Sequence, residues 1–444
     1  MDLDGANERA DRFSSSMDAL ASVIGRESRV GPLRDYCTGL LLPAPRKSVE
    51  PIAAKTAPKR TAAQHQCLLH FVGNGNWSDE DVLGKVRDLV LPKIETHGAI
   101  TSWIIDDTGF PKKGKESVGV GRQYCGQRGK TDNCQVAVSL SVANAQASLL
   151  VAHRLYLPDS WIEDRDRRSK VNIPEDISFQ TKPQIALDQL RAACRSGLPR
   201  GTVLADTAYG VDSEFRRGIS DLDLPYAVGI APQTGLWGPG KAPLPPKPYV
   251  GRGRRASRPV RDETHRPQSA KDVARSLPAT AWEKIEWREG TNTPLASRFA
   301  RLRVRSAHDE KTPHEEIPEE WLVTEWPVDE AEPMKYWLST LPANISFIDL
   351  IGAIKMRWRI ERDYLDLKQE VGPTFLKRRG HYEGRGWRGF HHHATLCIAA
   401  YGFLVSEKAA FSPCAITCGG HRDIFGEKFA IPENYRPRGA TATH

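Results

Sequence analysis

The sequence predicts an α/β protein with a helical N-terminal region and a β-rich insertion. Three observations support this class. Residues 1–92 carry apolar residues at helical spacing, in segments such as SMDALASVIG and LRDYCTGLLL. From Thr101 onward, short apolar runs and a helix-forming segment follow each other in the strand–helix order of an α/β sheet. Between residues 232 and 344, short alternating segments such as RFARLRVRSA and EWLVTEWPV indicate antiparallel strands.

Composition restricts the class of protein further. The chain has 444 residues, of which 39% are hydrophobic and 27% charged, as is typical of a soluble globular protein. It has no apolar run of about 18 residues and no signal-peptide pattern, so we expect a cytoplasmic protein without a membrane partner. The eight scattered cysteines favour reduced structural thiols over a zinc site. The net charge of +8, with basic clusters at residues 251–261 and 377–380, permits a nucleic-acid partner.

Acidic residues follow two of the predicted strands. TSWIIDDTGF is a short apolar run that is predicted to end in Asp106 and Asp107, and TVLADTAYG ends its strand in Asp206. Between them lie two β-rich runs and the helix-forming QIALDQLRAACRSG. Sites in open α/β sheets are built where strands run into loops. Strand-tip carboxylates also cap following helices, and this alternative stays open for each acid alone.

A third acid lies in KMRWRIERDYLDLKQEVG, residues 355–372. Good helix formers without an internal Gly or Pro predict one continuous helix. Arg357, Glu361 and Lys368, spaced by four and seven residues, would then share one face. Taken alone, this spacing fits an exposed ladder of ion pairs better than a site. Three carboxylates from two strands and a helix, in a basic protein, also fit two Mg²⁺ ions that catalyse phosphodiester chemistry.

Three long blocks carry a resemblance to a known family. They are WIIDDTGFPKKGKESVGVGRQYCGQRGKTDNCQVAVSL, then LYLPDSWIEDRDRR with VLADTAYG, and finally RWRIERDYLDLKQEVG. In these blocks the chain resembles the DDE transposases of bacterial insertion sequences, which are DDE superfamily endonucleases. The resemblance implies an RNase H-like catalytic core. It also implies that the segment between the second and third blocks is an insertion into that core.

The resemblance implies roles for individual residues. Asp106, in an Asp-x-Thr pattern completed by Thr108, matches the first catalytic aspartate, and Asp107 occupies a position where the family accepts another acid. Asp206 matches the second aspartate and Glu361 the final glutamate. These three would bind two Mg²⁺ ions, for which Mn²⁺ can substitute.

A second motif of the family surrounds the glutamate. The Tyr-x2-Arg-x3-Glu-x6-Lys signature is met by Arg357, Glu361 and Lys368, whereas Ile354 stands at the tyrosine position. Arg357 and Lys368 are therefore expected to contact phosphates of the DNA end.

Further DNA contacts are predicted outside the signature. Lys112, Lys113, Lys115 and Arg122 follow the first aspartate and could bind phosphates, although solvated loop cations explain them equally well. Trp321 resembles a tryptophan that stacks on a flipped base in hairpin-forming DDE transposases. Its alternative role is to pack the inserted sheet.

The resemblance leads to a specific prediction of function and domains. We predict a transposase that cleaves DNA at terminal inverted repeats and transfers the strands into target DNA. A homodimer would pair two ends in a cytoplasmic, nucleoid-associated complex. The alternatives are a DNA-binding repressor and a domesticated nuclease. The predicted segments are a DNA-end-binding helical domain (1–92), the first part of the core (93–231), a β-rich insertion (232–344), the second part of the core (345–408) and a C-terminal tail (409–444).

Overall fold

A computed structural model of the chain describes residues 3–44, 47–244, 262–288, 295–307, 317–369 and 384–411. The two basic clusters noted in the sequence and the C-terminal tail beyond Phe411 lie outside these residues. The predicted α/β class is confirmed, because the described chain combines a large mixed sheet with helices. No helix in the described ranges is long and apolar enough to cross a membrane.

The elements follow the chain in this order. The N-terminal helices are α1 Leu3–Ala21, α2 Val30–Leu41, α3 Val49–Thr56, α4 Thr61–Gly73 and α5 Asp79–Glu95. Strands and short helices follow: β1 Ser102–Pro111, β2 Gly121–Cys125, β3 Lys130–Ala143, β4 Ser148–Leu155, α6 Asp159–Ile162, α7 Arg165–Lys170, α8 Lys182–Arg195, β5 Thr202–Ala205, α9 Thr207–Gly210, α10 Ser213–Ser220 and β6 Tyr226–Ile230. The remaining elements are β7 Gly235–Trp237, β8 Gln268–Ser269, α11 Ala270–Arg275, β9 Glu283–Arg288, β10 Leu295–Ser306, β11 Glu320–Trp326, β12 Lys335–Ser339, α12 Phe347–Lys355, α13 Trp358–Gln369 and α14 Trp387–Phe411.

The chain divides into two compact units. The first contains Met1–Thr101, Asp106–Gln189 and Trp358–His444, and the second contains Ser102–Ile105 and Leu190–Arg357. Strand β1 and helix α8 therefore contribute residues to both units. The N-terminal helices share the first unit with α13 and α14, so they do not separate from the core elements. The five segments inferred from the sequence remain a prediction.

The sheet of the first unit is built around β3. Strand β3 pairs antiparallel with β2 on one side and with β4 along its second half. It also runs antiparallel to β1, because the Thr101 amide donates to the Ala143 carbonyl and the Lys112 amide to the Asn133 carbonyl, both at 2.9 Å. The two β-rich runs that the sequence indicated thus form neighbouring strands, as expected for a meander.

Helix α14 forms the centre of the first unit and packs on α2, α4, α5 and β4. Its first turns contain three buried histidines in succession, His391–His393. The ring nitrogens of His392 lie 3.0 Å from the carbonyl oxygens of Val72 and Trp77, and its ring stacks on Trp77. Burial lowers the pKa of His392 to about 4. His392 therefore connects α14 to the N-terminal helices as a core residue.

The second unit contains the other strands. Ser102–Ile104 of β1 pair in parallel with β5, which pairs in parallel with β6. An antiparallel series then follows in the order β6, β12, β11 and β10, and β10 also pairs with β7 and β9. The antiparallel strands predicted from alternating segments are therefore confirmed.

The prediction of one continuous helix over residues 355–372 is wrong. Helix α12 ends at Lys355, Met356 and Arg357 form a turn, and α13 begins at Trp358. The Lys355 ammonium group donates to both carboxylate oxygens of Glu325 at 2.9 and 2.8 Å and lies over the Trp287 ring. This tertiary anchor at the end of α12 overrides the helix-forming preference of the local sequence.

The prediction that the first strand stops at its acids is also wrong. Strand β1 continues past Asp106 to Pro111, so this acid lies within the strand and not at its end. The reason is its neighbour, since β3 offers hydrogen-bonding partners as far along as Asn133, which accepts from Lys112.

Candidate active site

Asp106 and Asp107 stand at consecutive positions of β1, and both are half-buried. Side chains of consecutive strand residues point to opposite faces, so only one of the two faces a given site. The Asp107 carboxylate accepts a hydrogen bond from the Lys182 ammonium group at 2.9 Å. One Asp106 oxygen accepts from the Asp107 amide at 2.8 Å. The salt bridge gives Asp107 a local role, and Asp106 as the catalytic acid remains a prediction.

Helix α13 carries Glu361 in the same unit. Arg359 fixes its first turn by donating to the carbonyl oxygens of Ala145 and Gln146, in the turn between β3 and β4. Tyr364 lies one helical turn after Glu361 and therefore on the same side of the helix. Burial, followed by the nearby Asp106 carboxylate, raises the pKa of Tyr364 well above its usual value. Tyr364 is thus buried near Asp106, whereas Glu361 is exposed.

A buried carboxylate on α13 was missed by the sequence reasoning. Asp363 accepts hydrogen bonds from the hydroxyls of Ser141 and Ser148 at 2.5 Å each and from Tyr401 at 3.3 Å. These partners come from β3, β4 and α14. Burial raises the pKa of Asp363 to about 7, although the hydroxyl hydrogen bonds act in the opposite direction.

A sequence signal for this burial does exist. Asp363 stands three residues after Ile360 and four before Leu367, so it lies on the apolar face of the helix. An acid on that face needs partners, and these come from other elements.

Asp206 belongs to the second unit and follows β5 directly. Its side chain caps α9 by accepting from the Ala208 amide at 2.9 Å, as the open alternative for strand-tip acids suggested. A carboxylate has about four acceptor positions, so one cap bond is compatible with metal binding.

Two glycines allow the Asp206 turn to lie close to β6. A Cβ atom at Gly210 would come within 1.9 Å of the Gly229 carbonyl oxygen, and one at Gly229 would come within 2.9 Å of Thr207. Any larger residue would therefore displace the turn that positions Asp206.

The predicted acids are distributed over the two units. Asp106 and Glu361 lie in the first, Asp206 in the second. Within the described ranges, no group of three or more His, Cys, Asp or Glu side chains is arranged to hold a metal ion. All three predicted ligands are carboxylates, and oxygen donors of this kind are the ligands that hard divalent cations prefer.

The cations after the first aspartate lie on a well-fixed loop. The Asn133 side-chain amide donates to the carbonyl oxygens of Lys112 and Gly114 at 2.8 and 3.0 Å. Arg167 donates to the Lys115 carbonyl oxygen at 2.5 Å. Lys113 and Lys115 are exposed on this loop. A fixed loop loses little entropy on binding, which supports the prediction that its lysines bind phosphates.

The structure gives less support to the other cations that were predicted to contact DNA. Arg122 is exposed on β2. Arg357 lies in the turn before α13 and not on the helix that carries Glu361. The side chain of Lys368 lies outside the described part of the chain. A common helical face for Arg357, Glu361 and Lys368 is therefore not observed, and the phosphate contacts of these cations remain predictions.

Trp321 lies on β11 in the second unit, where 8% of the residue is exposed. Its indole N–H donates to the Pro342 carbonyl oxygen at 3.1 Å. The guanidinium carbons of Arg301 and Arg303 lie 4.7 and 4.9 Å from the ring centroid. These contacts favour the role in sheet packing that the sequence left open, and they would have to move for a base to stack on the ring.

Replacing Trp321 distinguishes its two roles. We expect Trp321→Ala to reduce the free energy of unfolding by about 3 kcal/mol, because a buried aromatic side chain and two cation–π contacts are lost. Nicking and complete excision should then slow equally at temperatures near the melting transition. Trp321→Phe, which keeps a ring, should restore most of the stability. An alanine variant with unchanged melting that nicks the end but does not complete excision would establish base stacking instead.

Comparison with known proteins defines the class. Residues 19–294 match the family model of the DDE superfamily endonucleases. This match covers more than half of the chain and includes Asp106 and Asp206, although it ends before Glu361. The chain belongs to the DDE superfamily endonucleases. The neighbouring strands β4, β3 and β1 of the first unit and β1, β5 and β6 of the second agree with the predicted RNase H-like core.

The chain is also similar to an individual protein whose function is named. The chain is 31% identical over 166 residues to a probable transposase for insertion sequence element IS701 from Microchaete diplosiphon. The aligned region covers 37% of this chain and 40% of that protein, so the match spans about two fifths of the relative. The predicted family, and with it the enzyme class of endonuclease, is thereby confirmed.

Proposed function

We propose that the protein is a DNA transposase that cleaves the terminal inverted repeats of its element and joins the freed ends to target DNA. The observation that carries this proposal is the geometry of the first unit, in which Tyr364, one turn after Glu361 on α13, lines the same cavity as Thr108, two residues after Asp106 on β1. Membership of the DDE superfamily endonucleases and the similarity to a probable transposase support the same function.

Asp106, Asp206 and Glu361 would supply the metal ligands. Their oxygen donors suit Mg²⁺, with Mn²⁺ as a substitute. Two bound ions would activate the attacking oxygen and stabilise the leaving oxygen in both the cleavage and the joining step. Asp106 is preferred to Asp107 for this role because it begins the Asp-x-Thr pattern that Thr108 completes.

DNA would be bound by cations around these acids. Lys112, Lys113 and Arg122 would contact phosphates near Asp106, and Arg357 and Lys368 would contact them near Glu361. Two DNA ends must be paired before joining, which implies a homodimer in the complex with DNA. The protein would act in the cytoplasm, on DNA of the nucleoid.

Metal removal provides the direct test. The full chain is incubated with a supercoiled plasmid that carries the genomic DNA flanking its own gene. We expect breaks at the element's ends and joined products in Mg²⁺ or Mn²⁺, and neither product with excess EDTA. Cleavage without joining would support the domesticated nuclease. Specific binding without cleavage in either metal would support the repressor, and breaks that persist in EDTA would contradict a metal-dependent endonuclease.

A further inference from the structure

Tyr124 has 61% of its surface accessible. Among the large hydrophobic side chains that are exposed in the described ranges, it is the most exposed aromatic one. It lies on β2, which is the terminal strand in the strand order and pairs with β3. Arg122 and Tyr124 share the outward face of β2, whereas the alternating Gln123 and Cys125 are more buried. A single exposed tyrosine is unremarkable in a protein surface. The basic residues around Tyr124 are what suggest a role in binding.

Tyr124 lies within a basic surface. Across the strand, Asn133 is directly opposite Arg122 and therefore on the same face. The same Asn133 holds the Lys112–Gly114 backbone, so the lysine loop adjoins this face. Lys130 at the tip of the β2–β3 hairpin is also exposed, but it is directly opposite Cys125 and therefore belongs to the other face. We call the following residues the hairpin surface: Lys113, Lys115, Arg122 and Tyr124.

Cations dominate the charge of the hairpin surface. It has three of them, and the adjacent Glu116 of the same loop is an exposed carboxylate. A positive surface of this kind attracts a polyanion. The aromatic ring can stack on a base only if one face of that base is open. A duplex offers no such face, because neighbouring bases already cover both faces of each paired base. An exposed ring among cations is the combination that binds single-stranded nucleic acid.

We propose that the hairpin surface binds one unpaired DNA strand, with Tyr124 stacked on a base and with Lys113 and Arg122 on neighbouring phosphates. This inference rests on the proposed function, since cleavage at a DNA end exposes such a strand. The hairpin surface follows Asp106 along the same unit, and its loop is fixed by Asn133 and Arg167. Binding would therefore require little reorganisation of the protein.

The test measures binding of fluorescent oligonucleotides by anisotropy. Probes are a single strand of thymidines, the same strand with abasic sites throughout, and a duplex of equal length. We expect Tyr124→Ala to weaken binding of the thymidine strand about tenfold or more and to leave duplex and abasic binding within twofold. Tyr124→Phe should bind like the unchanged protein, because the ring is kept. Melting temperatures should not change, since the side chain is exposed.

Salt dependence separates stacking from phosphate contact. Lys113→Ala should lower the slope of log affinity against log salt by about 0.7 for the single strand, because one phosphate contact is lost. Tyr124→Ala should leave this slope unchanged. Val328→Ala serves as the control, since Val328 is 65% exposed in the second unit.

Three outcomes would overturn the inference. They are equal weakening of duplex and single-strand binding by Tyr124→Ala, binding of Tyr124→Leu as tight as that of Tyr124→Phe, and no effect of any Tyr124 variant. Cleavage by the unchanged protein is measured in parallel. An inactive unchanged protein would count against the proposed function, whereas an active one whose Tyr124→Ala variant binds normally would count against the hairpin surface alone.

Discussion

Asp106→Asn, Asp206→Asn and Glu361→Gln are each expected to slow cleavage of the element's ends at least about a thousandfold, equivalent to about 4 kcal/mol of transition-state stabilisation. Binding to the same DNA should change by only a few fold. Each change replaces a charged metal ligand with a neutral side chain of nearly the same shape. At Asp206 the replacement also keeps the local structure, because asparagine caps a helix about as well as aspartate. The measurement is cleavage rate in Mg²⁺ beside affinity for the uncut end.

The chain offers matched controls for these substitutions. Asp107 is the neighbour of Asp106 and forms the salt bridge to Lys182. Asp212 caps α10 by accepting from the amides of Glu214 and Phe215, as Asp206 caps α9. Asp107→Asn and Asp212→Asn should therefore cleave DNA within a few fold of the unchanged protein. If Asp107→Asn is inactive and Asp106→Asn is active, then Asp107 is the catalytic acid and Asp106 is not. Normal cleavage by all three triad variants would place the catalytic acids elsewhere.

Elements with strong local signals could be predicted from the sequence. The Ser78 hydroxyl accepts from the Asp81 amide at 3.0 Å and caps α5, and a serine three residues before an acid is a local signal for such a cap. The strand that ends before Asp206 was predicted because it is a short apolar run. In each case, the residues that determine the structure are neighbours in the sequence.

Features that depend on distant partners could not be predicted. The break between α12 and α13 coincides with the contact of Lys355 with Glu325, which lies 30 residues away. The length of β1 depends on its pairing with β3. In the candidate site, too, residues with local signals were predicted and residues that depend on distant partners were not. Asp106, Asp206 and Glu361 were found from strand ends and a family motif, whereas the role of Asp363 depends on hydroxyls from three other elements.

Asp363→Leu is expected to reduce the free energy of unfolding by about 5 kcal/mol, because the hydroxyls of Ser141, Ser148 and Tyr401 lose their acceptor inside the protein. Asp363 lies two residues after Glu361, so the same change should release α13 from β3 and β4 and abolish cleavage. Asp363→Asn keeps the shape and an acceptor oxygen, and the hydroxyls can rotate to accept from its amide. This variant should fold and cleave within about tenfold of the unchanged protein, which would identify Asp363 as a positioning residue.

The pH dependence of stability tests the environment of Asp363. Burial raises its pKa to about 7 in the folded protein, compared with about 3.9 in an unfolded chain. Between these values the folded state holds a proton that the unfolded state has released. The stability contributed by this proton is therefore complete below about pH 4 and is lost as the pH rises to about 7. Asparagine does not titrate, so the stability of Asp363→Asn relative to the unchanged protein should increase by about 4 kcal/mol across this window and stay constant above it. Denaturant unfolding at pH 5, 6, 7 and 8 measures the difference, and a constant difference at all four values would show that Asp363 is ionised throughout.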